Sequence, residues 1–194
     1  MQRIELQDNG LILYQEAFFE TQLADEYFEA LESQCLWEQK PGIFGYMQPR
    51  LIASYGDPGV RYKYSGVVNV ALAWTDKLLE IKKAVEAFEI DGQQASYNYC
   101  LLNRYRDGQD SMGWHADDEP EMGNLIASLS LGASRKFRIR HNATRHTMDF
   151  VLPHGSLLIM AGRMQEFWQH EVPKTRRPVG QRINLTFRSI QMEQ

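Results

Sequence analysis

Cysteine is almost missing from this chain: Cys35 and Cys100 are the only two among 194 residues. So small a number excludes a disulfide framework and a cysteine-built zinc site. It is what a reducing compartment permits, and both thiols are expected to pack as small apolar residues. No apolar run approaches the roughly 18–20 residues that a membrane-spanning helix needs. The opening Met1-Gln2-Arg3-Ile4-Glu5-Leu6-Gln7-Asp8 lacks the charged, apolar and small-residue zones of a secretory signal, so a cytoplasmic protein is expected, with no membrane partner. Excess positive charge is missing too: 21 Lys and Arg stand against 25 Asp and Glu, a formal net charge of −4. That average argues weakly against nucleic acid, because phosphate binding calls for a basic footprint. Internal repeats, low-complexity tracts and Pro/Ser-rich linkers do not occur. With 43% hydrophobic residues the chain is expected to form a single domain over 1–194, acting as a monomer.

The charge that is present is unevenly placed. Residues 107–121 hold Asp107, Asp110, Asp117, Asp118, Glu119 and Glu121 without a cation, and 135–146 hold Arg135, Lys136, Arg138, Arg140 and Arg145 without an anion. An acidic pocket beside a basic rim and a set of solvated strand ends both fit this pattern. Thr21 followed by Leu23, Ala24, Tyr27, Phe28 and Leu31, and Thr75 followed by Leu78, Leu79, Ile81, Val85 and Phe88, each read as an N-cap and an amphipathic helix. Beyond residue 95 the period drops to two or to short apolar runs, and Tyr97–Arg104, Leu125–Leu131, Lys136–Arg140, Thr147–Leu152, Ser156–Met160 and Arg182–Ile190 read as strands. The fold class expected is α+β: a jelly-roll-like β core over about 96–190, buttressed by a helix-rich region over about 1–95. Between the helices, 41–50 and 55–59 read as unusually aromatic loop, a common place for ligand contacts.

Side chains two apart on an extended segment share a face, so His115 and Asp117 can grip one ion while His170 arrives from another strand. Two imidazoles and one carboxylate on one face of Fe(II) leave positions open for a co-substrate and O₂. His-x-Asp alone is a weak signal, and a structural or zinc-binding role stays open at this point. Arg182, Asn184, Thr186 and Arg188 also share a parity, opposite to Ile183, Leu185 and Phe187. Two guanidiniums on a buried face demand anions, and a dicarboxylate such as 2-oxoglutarate offers a bidentate partner. Asn103 and Tyr105 share parity on their own segment and suit the same ligand, while a structural Arg–Asp network through Asp107 or Asp110 is the plainer alternative.

Leu101-Leu102-Asn103-Arg104-Tyr105, His115-Ala116-Asp117-Asp118-Glu119, the run from Leu152 to Met160, and Arg182-Ile183-Asn184-Leu185-Thr186-Phe187-Arg188 together resemble the AlkB family of Fe(II)/2-oxoglutarate dioxygenases, over about residues 40–190. Pro49-Arg50, Tyr55-Gly56-Asp57 and Tyr62-Lys63-Tyr64-Ser65-Gly66 are similar to its branch that repairs alkylated nucleic acid. The resemblance implies a double-stranded β-helix core, Fe(II) held by His115, Asp117 and His170, and 2-oxoglutarate and O₂ as co-substrates. It places Arg182 on the distal carboxylate with Asn103, Tyr105 and Asn184 nearby, and Thr186 and Arg188 completing the pocket.

The reaction implied is oxidative demethylation of bases such as 1-methyladenine and 3-methylcytosine in DNA, with RNA as a second polymer. 2-Oxoglutarate would leave as succinate and CO₂, and the methyl group as formaldehyde. A cationic base would meet Asp118 or Glu119 at its exocyclic amine and lie between Tyr64 and His115, with Tyr62, Ser65 and Arg50 steering base and backbone. Phe44 resembles a wedge that fills the space a flipped base vacates. Arg135, Lys136, Arg138, Lys174, Arg176 and Arg177 are the candidate phosphate contacts. Two other classes remain: the same oxygenase chemistry on a protein, lipid or small molecule, and a non-catalytic module that binds nucleic acid.

Overall fold

A computed structural model describes residues 1–42, 45–64 and 67–191, with the side chains of 62–64, 67–69 and 93 left outside the description. In chain order the strands are β1 (Gln2–Glu5), β2 (Gly10–Gln15), β3 (Leu51–Gly56), β4 (Arg61–Tyr64), β5 (Val67–Val70), β6 (Leu72–Ala73), β7 (Glu89–Ile90), β8 (Gln93–Gln94), β9 (Tyr99–Tyr105), β10 (Met112–His115), β11 (Ile126–Gly132), β12 (Arg135–His141), β13 (Thr147–Leu152), β14 (Ser156–Gly162), β15 (Trp168–Val172) and β16 (Arg182–Arg188). The helices are α1 (Thr21–Gln34), α2 (Asp76–Glu86) and the single turn α3 (Met164–Phe167). An eight-stranded sheet runs β1-β2-β14-β11-β16-β9-β3-β6, and a four-stranded sheet runs β10-β15-β12-β13.

Period-two alternation makes the layers. On β16, Ile183, Leu185 and Phe187 face one way and join a core with Tyr27 and Leu31 of α1 and Leu78, Ile81 and Val85 of α2. The other face of the large sheet meets the small one through a second core: Ile12, Tyr105, Ile126, Leu158 and Met160 against Met112, Phe137, Ile139, Leu152 and Val172. Each such aliphatic or aromatic side chain contributes about 1.5–3 kcal/mol when fully buried. β16 is therefore buried on both faces, which explains why its polar residues cannot be solvent-facing. α1 and α2 cover one side of the large sheet and the small sheet covers the other, giving a jelly-roll-like sandwich in an α+β fold.

Several boundaries differ from the sequence expectation. Thr75 does cap α2, its hydroxyl accepting from Leu78 N–H at 3.3 Å, but Thr21 is the first residue inside α1, and Glu20 occupies the cap without a side-chain bond. The first 95 residues are not merely a helical buttress, since β1, β2, β3 and β6 belong to the large sheet. Tyr55 and Gly56 lie in β3 rather than in a loop, and the Tyr55 hydroxyl accepts from Leu36 N–H in the core. β10 and β15 escape a periodicity test because they are short and carry Trp and His, although they bear two of the candidate metal ligands.

Candidate metal and co-substrate site

Register brings the histidines together. β10 and β15 are antiparallel with His115 directly opposite His170, and the ring centroids are 4.1 Å apart. Asp117 follows just beyond the end of β10, and one donor atom from each of the three residues lies within 4.8 Å of the others. The Gly113 carbonyl, which can only accept, lies 2.8 Å from His115 Nδ1. That carbonyl fixes the proton on Nδ1 and leaves Nε2 as the lone-pair donor.

Burial pushes the His170 imidazole down to about 3, helped by the neighbouring His115, and burial likewise lowers His115. For Asp117 burial works the other way, raising the carboxyl, but Arg188 and the two imidazoles outweigh it and hold it at about 2. At neutral pH the cluster is thus two neutral imidazoles and a carboxylate, all deprotonated as metal ligation requires. Asp117 is only 2% exposed. Its Oδ2 accepts from Arg188 Nη2 at 2.7 Å and its backbone N–H donates to Gln165 Oε1 at 2.9 Å, while Oδ1 has no hydrogen-bond partner among the described residues. A buried, unpartnered carboxylate oxygen between two imidazoles is the donor set that an Fe(II)-type ion fits.

One cavity joins this cluster to the polar face of β16, with Asn103, Tyr105, Ser128, Arg182, Asn184, Thr186 and Arg188 in its wall. Pairing aligns them: Tyr105 sits opposite Arg182 and Asn103 opposite Asn184 on one side, and Gly132, Ser130 and Ser128 oppose Arg182, Asn184 and Thr186 on the other. Gly132 has φ +84°, and a Cβ there would collide with the Gln181 carbonyl beside Arg182. Arg182 is 1% exposed, lies over the Tyr105 ring at 5.2 Å, and donates from Nη2 to Ser130 Oγ at 2.9 Å. Its Nε and Nη1 have no hydrogen-bond partner among the described residues, and burial pushes the guanidinium down to about 10. A cation in that state calls for an anionic ligand. Among the described residues the plainer network through Asp107 or Asp110 does not hold these arginines: Asp110 pairs with Arg106 at 2.7 Å, Asp107 Oδ1 accepts from Gln109 N–H, and Arg188 pairs with Asp117 instead.

Other expectations fare differently. Both amide hydrogens of Asn184 are engaged, by Ser128 Oγ and the Leu129 carbonyl, and its Oδ1 accepts from Thr186, so this pair braces the wall. Arg50 is not an exposed steering group. It is 5% exposed, with Nε donating to Asn103 Oδ1 at 2.7 Å. Arg135 is excluded as a phosphate contact because it is 3% exposed and clamped by the carbonyls of Asp107, Asp110 and Pro173, each at 2.9 Å. Lys136 and Arg138 are tied to Asp149, whereas Lys174, Arg176 and Arg177 stand exposed on the connection from β15 to β16. Asp118 is exposed and Glu119 half-buried just past the metal cluster. Tyr62 and Tyr64 lie on β4, paired with β5, but their side chains lie outside the described residues, as do Phe44 and Ser65 altogether. Sequence reasoning missed Ser128, Ser130 and Gln165. The serines share a parity on β11 that was open to notice, and Gln165 left no local signal.

The family model for the 2OG-Fe(II) oxygenase superfamily matches residues 10–188. Over 188 residues the chain is 39% identical to bovine alpha-ketoglutarate-dependent dioxygenase alkB homolog 3, covering 89% of this chain and 64% of that protein. Over 183 residues it is 38% identical to mouse DNA oxidative demethylase ALKBH2, covering 86% of this chain and 75% of that one. The fold matches the solved structure of OsALKBH1 with a TM-score of 0.66 at 16% identity, covering 97% of this chain and all of the other. A 2OG-Fe(II) family oxidoreductase from Burkholderia pseudomallei matches with a TM-score of 0.63 at 17% identity, covering 92% of this chain and 85% of that one.

Proposed function

The chain belongs to the AlkB family within the 2OG-Fe(II) oxygenase superfamily, and from that premise we propose that it is an Fe(II)- and 2-oxoglutarate-dependent dioxygenase that demethylates N-alkylated DNA bases. The observation that carries the chemistry is one cavity holding both the His115–Asp117–His170 cluster and the Arg182 guanidinium with two unengaged N–H edges. When bound, the iron supplies the oxidising centre for O₂ and the keto acid. The protein's part is placement. Arg182 takes the distal carboxylate of 2-oxoglutarate, Ser130 and Tyr105 fix the guanidinium, and Arg188 keeps the Asp117 carboxylate ionised and oriented. Met112, Phe137, Met160 and Val172 in the cavity wall exclude water from the reacting centre.

The substrate reading rests on relatives whose names describe DNA oxidative demethylation, and on Asp118 and Glu119 beside the metal cluster as acceptors for a cationic base. Lys174, Arg176 and Arg177 are the phosphate contacts in this reading, a local basic footprint on a chain whose net charge is −4. The protein works as a monomer on DNA, with RNA the second polymer to assay. Fe(II), 2-oxoglutarate and oligonucleotides bearing 1-methyladenine or 3-methylcytosine should yield formaldehyde and the restored base in step with succinate. Succinate without loss of the methyl group would move the substrate to a protein, lipid or small molecule, and neither product would leave a binding module.

A further inference from the structure

We infer that Gln165 is a positioning residue for the metal, holding the Asp117 backbone so that Oδ1 alone is presented to the ion. The inference rests on the oxygenase reading above.

Asp117 is fixed from two directions that leave one oxygen over. Arg188 Nη2 takes Oδ2 at 2.7 Å, and Gln165 Oε1 takes the backbone N–H at 2.9 Å. The Arg188 bond is buried and the Gln165 bond half-buried, and a lost partner would leave a polar group of Asp117 poorly satisfied in each case. Rotation of the carboxylate toward a two-oxygen grip would break the Arg188 bond, and drift of the segment after β10 would break the Gln165 bond. Together they hold the ligand to a single oxygen, which keeps coordination positions open for the other reactants.

Gln165 can do this because its own position is rigid. α3 is one turn long, but it is tied down at both ends. Arg163 N–H donates to the Asn9 carbonyl at 2.9 Å, and the Trp168 indole N–H donates to the Gln7 carbonyl at 3.1 Å. Met164 is buried, and Gln165 Nε2 lies 3.5 Å from Met160 Sδ in the cavity wall, which turns the amide so that its oxygen faces Asp117. α3 also leads straight into β15, which carries His170. One side chain therefore ties the Asp117 segment to the segment delivering the second imidazole.

The test is metal affinity in the apo-protein, followed by Co(II) visible absorption and Mn(II) spin resonance without O₂ or 2-oxoglutarate. Gln165→Met removes the acceptor at similar volume, Gln165→Glu keeps an acceptor oxygen, and His115→Ala serves as the control for the site. Gln165→Met should weaken metal binding about 10- to 100-fold while Gln165→Glu stays within about threefold of wild type. Should Gln165→Met fold poorly, Gln165→Glu against Gln165→Ala makes the same comparison. Equal affinity in wild type and Gln165→Met, with binding abolished in His115→Ala, overturns this assignment alone. Absence of His115-dependent metal binding in the wild type overturns the oxygenase reading, and this inference with it.

Discussion

Arg182→Met removes a guanidinium that is 1% exposed, bonds Ser130 Oγ and the Tyr105 side chain and lies over the Tyr105 ring, with Nε and Nη1 unpartnered among the described residues. Two opposite effects follow. A carboxylate taken by those two N–H edges gains about 1.5–3 kcal/mol per charge-assisted bond, or about 3–6 kcal/mol for the pair. Losing both weakens 2-oxoglutarate binding by about 10²- to 10⁴-fold. Without the ligand, the variant forfeits the Ser130 bond and the ring contact, about 1 kcal/mol each. It also sheds an uncompensated buried charge whose desolvation costs several kcal/mol. The apo-protein should therefore gain about 1–3 kcal/mol, a rise in melting temperature of roughly 2–4 °C per kcal/mol for a chain of this size. Calorimetry with and without 2-oxoglutarate reads both quantities at once. Apo destabilisation by more than about 3 kcal/mol, with co-substrate affinity held within about threefold, would show that Arg182 is a structural cation and refute the reasoning.

Arg135→Met should destabilise the fold by about 1–3 kcal/mol, because three carbonyls lose their donor, the buried one of Asp110 among them. It should leave the salt dependence of DNA binding unchanged, and a flattened salt slope measured by fluorescence anisotropy would return Arg135 to the phosphate contacts. Replacing Arg176 and Arg177 together by Ala should reduce the slope of log affinity against log salt by roughly 1.4 on single strands, at about 0.7 per phosphate. An unaltered slope would place the backbone elsewhere. His170 titrates near 6.5 in the unfolded chain but at about 3 in the fold, so the unfolded state binds more protons between those values. Apo stability should consequently rise with pH from about 3 to 6.5, and His170→Gln should flatten that rise in urea titrations. An identical slope in the variant would remove His170 as its source.

How much of this was legible in the sequence depended on the distance over which a residue acts. Parity on one strand is a local property, and it placed Arg182, Asn184, Thr186 and Arg188 on the cavity face of β16 and Ile183, Leu185 and Phe187 under the helices. The same rule put Asn103 and Tyr105 on one face of β9, where pairing with β16 then set them opposite Asn184 and Arg182. What parity cannot say is which polar groups are already engaged. Asn184 and Arg182 read alike from sequence, yet the first has both amide hydrogens bonded within the sheet and the second keeps two edges open. Charge misled in the same way: Arg135 and Arg176 are equally basic in a sequence, and burial against three carbonyls separates them.

Long-range pairs were the unreadable part, and they decide how the metal cluster is held. Arg188 reaches Asp117 across 71 positions and Gln165 reaches it across 48, with no periodicity linking either pair. Their geometry follows from topology: β16 lies inside the large sheet, α3 joins β14 to β15, and Asp117 just after β10 bonds to both. The donor atoms of the cluster needed only His, Asp and His on neighbouring strands. Keeping one carboxylate oxygen for the ion needed two further side chains from separate elements. Substitutions at Arg188 and Gln165 should therefore change how the cluster binds metal while leaving the three ligand residues in place.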